Sequence, residues 1–184
     1  MDKNFNLSKV KLDPNGGLMA DYQITTTADG EPTVIDRTER ADRDPHPDLK
    51  AAVQALAPIV GRVIGITSFL SLLESSDMKM TDRQKESARD FSKELLNRID
   101  VRGLAWSGTG DTLGVVITAV VETDNGQKTC VNTPRLRFST ISYGFEEELE
   151  AMVARINEEV YEYLFKGKQS QLSLFGDGNK QEEE

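Results

Sequence analysis

Tyr22-Gln23-Ile24-Thr25-Thr26-Thr27-Ala28-Asp29-Gly30-Glu31-Pro32-Thr33-Val34-Ile35-Asp36 reads as two strands and the turn between them. β-Branched and aromatic residues crowd residues 18–27, Asp29-Gly30 suits a tight hairpin, and Thr33 begins the returning strand. A second stretch lies over the first for most of its length. It runs Ile117-Thr118-Ala119-Val120, then Asn125-Gly126, then Thr129-Cys130-Val131. In both places a charged or aromatic segment then leads into an amphipathic helix.

Outward from the first hairpin, residues 5–12 alternate Leu7, Val10 and Leu12 with Ser8, Lys9 and Lys11, and Pro14-Asn15-Gly16-Gly17 is turn chemistry. Charges of both signs interleave over 37–48, the signature of a solvated strand edge or loop. Asp44-Pro45-His46-Pro47-Asp48 is a stiff entry into a helix whose apolar face is Leu49, Val53, Leu56 and Val60. Pro58 should kink or interrupt that helix.

Ser75-Ser76-Asp77 breaks the pattern, and Thr81-Asp82-Arg83-Gln84 is a capping box that opens the next helix. Its expected buried stripe is Ala88, Phe91, Leu95 and Ile99. Strands are expected over 101–106, 113–122 and 128–133. The last helix begins after Gly144, with Glu146, Glu147 and Glu148 at its positive end and Lys166-Gly167 at its close. Leu149, Met152, Val153, Ile156, Val160 and Leu164 form its core face.

These elements predict an α+β fold, antiparallel strands with helices on one face, in the order βββα-αβββα. An internal pseudo-two-fold repeat would relate residues 1–75 to 81–167, as one six-stranded sheet or two three-stranded ones. The domain is expected to occupy 1–167, with a disordered tail over 168–184.

Composition narrows the function classes. A net charge of −9 argues against a nonspecific grip on duplex DNA by the chain as a whole, which needs phosphate neutralisation by Lys and Arg. Met1-Asp2-Lys3-Asn4-Phe5-Asn6 holds no apolar run of the secretory kind, and a lone Cys130 fits a reducing compartment, so a cytoplasmic location is expected. Cys130, in a strand, is expected to be a small core hydrophobe. The apolar run over 51–73 carries Arg62 near its middle, too costly for a membrane span, and is read as a buried helix and its continuation.

No catalytic, metal or cofactor site emerges. One His and one Cys cannot supply a zinc set. Acidic residues over 36–48 raise a magnesium-dependent nuclease as an alternative, with Asp44 and Asp48 as its test positions, but no second strand supplies the acidic residue and lysine such sites use. His46, between two prolines, reads as a helix-entry residue rather than a general base. Gly108-Thr109-Gly110-Asp111 lacks the lysine of a phosphate loop. Tyr22 and Trp106 could stack bases of single-stranded DNA on an exposed sheet face, though strand aromatics more often belong to a core.

The tail is different in kind. Gln171, Leu172, Ser173, Leu174 and Phe175 stand in polar, glycine-containing surroundings that cannot cover them. Gln-Leu-Ser-Leu-Phe resembles, at all five positions, the pentapeptide by which bacterial DNA polymerases, mismatch-repair proteins and other replication factors bind the β sliding clamp. The resemblance spans these five residues alone and implies a partner, not an activity for the domain. Gln171 offers an amide to a polar subsite, Leu172, Leu174 and Phe175 suit an apolar groove, and Ser173 would point outward. Three such side chains contribute roughly 1.5–3 kcal/mol each before ordering costs, consistent with a reversible contact on the order of micromolar. The expectation is a clamp-docking accessory of DNA replication, repair or recombination, such as a phage or mobile element encodes. Whether it is also an enzyme is left open. Alternatives are a clamp-tethered nuclease, a single-stranded-DNA-binding protein, and an inhibitor of the host clamp.

Overall fold

A computed structural model describes residues 5–14, 16–28, 31–42, 44–65, 81–123, 125–139 and 144–168. Seven strands form a single antiparallel sheet: β1 (Phe5–Leu12), β2 (Leu18–Ala28), β3 (Glu31–Ala41), β4 (Ile99–Ser107), β5 (Gly114–Glu122), β6 (Lys128–Asn132) and the short β7 (Leu136–Arg137). Helices α1 (Pro47–Gln54) and α2 (Ala57–Val63) follow β3, α3 (Asp82–Asn97) precedes β4, and α4 (Glu146–Phe165) follows β7. The fold is α+β, as the patterning predicts.

The sheet order is β3-β2-β1-β4-β5-β6, with β7 beside β5. It reads as two three-stranded meanders joined where β1 pairs β4, Val10 opposite Leu104. Of the two arrangements expected, one six-stranded sheet or two three-stranded ones, the observed sheet is single, with β7 as a seventh strand. Close pairing at the seam requires glycine: a Cβ on Gly103 would lie 2.1 Å from the Val10 carbonyl oxygen.

Alternation sorts the strands. Phe5, Leu7 and Val10 of β1 are buried while Asn6, Ser8 and Lys11 are exposed, and β5 buries Val115, Ile117 and Ala119. The helices close this side. Leu49, Val53, Leu56 and Val60 are fully buried, the apolar face expected of them, and the helix does break ahead of Pro58. Leu149, Val153, Ile156, Val160 and Tyr163 anchor α4, with Met152 and Leu164 partly buried beside them.

Two expectations are corrected. Of the predicted stripe on α3, Phe91 is half exposed and Ile99 belongs to β4, because the helix ends at Asn97 and the apolar spacing ran on across the junction. The capping box itself is present, with Thr81 N–H donating to Gln84 Oε1 at 2.9 Å. Cys130 is exposed, because β6 is the outer strand of the sheet and nothing buries it. The strand β7 and the 3₁₀ turn at Gly110–Thr112 were not expected. Ser75-Ser76-Asp77 lies outside the described residues.

Candidate functional site

Gln171–Phe175 lie outside the described residues, so the geometry available is that of their point of departure. Helix α4 ends at Phe165, and Gly167 turns the chain with a φ of 66°, a left-handed value that favours glycine. Lys166 and Lys168 both donate their backbone N–H to the Glu162 carbonyl, at 3.0 and 3.2 Å. The Lys168 ammonium sits among three carboxylates: Glu159 at 2.8 Å, Asp48 at 3.1 Å and Glu162 at 3.2 Å. Hydrogen bonds from Lys168 hold the Asp48 and Glu162 carboxyls below their ordinary range, and Glu159 and Asp48 in turn raise the Lys168 pKa.

The departure point adjoins an aromatic cluster. Phe165 packs on Phe5 and Tyr22, with ring centroids 5.7 and 5.8 Å apart, and on Tyr161 at 5.0 Å. Phe165 is nevertheless 44% exposed, whereas Phe5 and Tyr22 are buried. The Tyr22 hydroxyl donates to Glu39 Oε2 at 3.0 Å, and burial followed by this acidic partner raises its pKa.

The acidic residues over 36–48 are spread over four surroundings, the first being Glu39 beside the Tyr22 hydroxyl. Asp36, on β3, accepts from the Gln23 amide at 2.8 Å. Asp44 pairs with Lys50 at 2.7 Å in a cleft of about 680 Å³ that Asp13, Asp42, Asp100 and Arg102 also line. Arg102 is itself paired with Asp100. Asp48 is held by Lys168. Among the described residues no group of three His, Cys, Asp or Glu side chains is placed to hold a metal ion.

His46 caps α1: its Nδ1 accepts the Asp48 backbone N–H at 3.2 Å. That lone pair is engaged in the helix start, where a general base would need it free. Tyr22 is buried and Trp106 packs partly buried against the core. The side of the sheet away from the core carries Lys9 and Lys11 opposite Ala105 and Gly103, and Thr118 bonded to Asn132 at 2.7 Å.

One element that sequence patterning missed is Gln54. At the bulge in β4 between Val101 and Gly103, pairing with β1 stops. Gln54 takes the place of the missing strand, donating Nε2–H to the Ile99 carbonyl at 2.7 Å and accepting Val101 N–H on Oε1 at 3.1 Å. A polar residue within the helix expected from Leu49 to Val60 gives no sign of that role.

The chain matches no protein-family model, no curated protein and no solved structure. Among the described residues no helix is long and apolar enough to cross a membrane.

Proposed function

We propose that the protein docks on the bacterial β sliding clamp through Gln171, Leu172, Ser173, Leu174 and Phe175, as a cytoplasmic accessory to DNA replication, repair or recombination of the kind phages and mobile elements encode. The observation that carries the proposal is the five-position match to the clamp-binding pentapeptide, which begins three residues beyond the last described residue, Lys168. Two features of the fold support it. Among the described residues, the core of the sheet and helices is assembled from side chains between Phe5 and Leu164. Lys168 is tied to both α1 and α4, which gives the peptide a fixed root close to the folded body.

Clamp binding by such a peptide draws its affinity from Leu172, Leu174 and Phe175 entering an apolar groove, while Gln171 supplies the polar contact that fixes register. Purified clamp from a bacterium, immobilised on beads, should retain the full chain. It should not retain a chain ending at Lys168. Equal retention of both forms refutes the proposal.

A further inference from the structure

We propose that β3 is a homodimerisation edge, on which a second copy of this chain adds its own β3 antiparallel about a two-fold axis centred on Thr38. This goes beyond the clamp-docking proposal and does not depend on it.

β3 pairs β2 without interruption from Ala41 opposite Leu18 to Glu31 opposite Ala28, and among the described residues nothing pairs with its other side. Residues 31–40 are exposed, including Val34 at 56% and Ile35 at 37%, so no helix among the described residues overhangs the edge. A long, straight, unpaired edge is a ready template for another strand, and proteins commonly protect such edges with charge. β3 is charged, but the order of its charges matters.

Residues 36–40 read Asp, Arg, Thr, Glu, Arg. In a two-fold antiparallel pair each residue meets one on the same face of the sheet, so the axis passes through a single residue type. Centred on Thr38, Asp36 lies opposite Arg40 of the second copy, and Arg37 lies opposite Glu39 of the second copy. Symmetry doubles both pairs. The first pair falls on the face that Gln23 and Asp21 share, the second on the side of Tyr22 and Ala20, and on that side Ile35 meets Ala41 of the second copy. Centring on Asp36, Arg37, Glu39 or Arg40 instead sets that charge against itself. One register therefore satisfies the four charged positions among residues 36–40, and its neighbours are penalised by like charges. Thr38 opposite Thr38 of the second copy is a favourable central pair on a β-sheet.

The test uses analytical ultracentrifugation of the full chain and three variants. Wild type should sediment at twice the 20.4 kDa chain mass as concentration rises. Arg40→Asp and Asp36→Arg should each weaken self-association by at least about tenfold, since each turns two attractive cross-strand pairs into two repulsive ones. The double variant Asp36→Arg with Arg40→Asp restores complementarity and should dimerise again. An equimolar mixture of the two single variants should form a heterodimer more tightly than either variant self-associates. Far-ultraviolet circular dichroism spectra of the single variants that match wild type exclude misfolding, and recovery in the double variant and the mixture makes the same point independently. A wild type that stays monomeric to concentrations of about 1 mM overturns the proposal. A dimer indifferent to both charge reversals also overturns it.

Discussion

Lys168 Nζ lies 3.1 Å from Asp48 Oδ2, which ties the end of the α4 turn to the first turn of α1. The two are far apart in sequence, and Glu159 and Glu162 share the same ammonium. The root of the peptide-bearing segment is thus held by an ion cluster between helices.

That cluster has a pH signature. Asp48 and Glu162 are held below their ordinary range, chiefly by hydrogen bonds from Lys168. A depressed carboxylate contributes stability that is present above its unfolded pKa, about 4, and is lost as pH falls through its folded value. The raised Lys168 works in the opposite sense. Its contribution is complete below its unfolded pKa, about 10.4, and is lost only as pH climbs through the folded value. Replacing Lys168 with Met should therefore lower the melting temperature at neutral pH and shallow its fall below about pH 4. Melting curves of both proteins from pH 7 to pH 3 check this. Parallel curves would show that the cluster is not coupled to folding.

Gln54 should matter more than a polar residue at a helix end usually does. Gln54→Leu leaves the Ile99 carbonyl and the Val101 N–H without their partner at the β4 bulge. Losing both costs about 1–3 kcal/mol in urea unfolding, because two partly buried backbone groups lose their hydrogen bonds. Gln54→Glu keeps the acceptor and loses the donor, and should fall between wild type and Leu.

On α3 and α4 the two large hydrophobics Phe91 and Leu149 should behave oppositely. Leu149→Ala opens a cavity at a fully buried position and should cost about 2–5 kcal/mol. Phe91→Ala, at a half-exposed position, should cost no more than about 1 kcal/mol. Equal losses on chemical denaturation would restore the buried stripe that the spacing on α3 suggests.

That contrast shows what could be seen in the sequence. The hairpins, the helix entry at Pro47 and the break ahead of Pro58 were legible because turn and proline chemistry act locally. The face of α1 and α2 was legible because Leu49, Val53, Leu56 and Val60 repeat at helical spacing and all are fully buried. Ile99 was misassigned because a helical period continued by one more apolar residue into β4, where strand pairing with Val121 takes it over. The roles of Gln54 and Lys168 were invisible, since each depends on elements distant in sequence. The proposed peptide lies outside the described residues, and the anchoring of the chain at Lys168, just before it, was not legible.

Cys130 supplies a separate check on the position of β6. Lying exposed opposite Val120, it should react with a thiol-specific reagent in the native protein within minutes, as fully as after unfolding. A thiol protected until denaturation would mean that another surface covers β6.

The central claim is most directly tested by calorimetric titration of a purified bacterial β sliding clamp with the full chain and with the double variant Leu174→Ala, Phe175→Ala. The account predicts saturable binding with a dissociation constant on the order of micromolar for wild type, lost in the variant, whose melting temperature is unchanged. No heat of binding with wild type, or the same affinity with both, would contradict it.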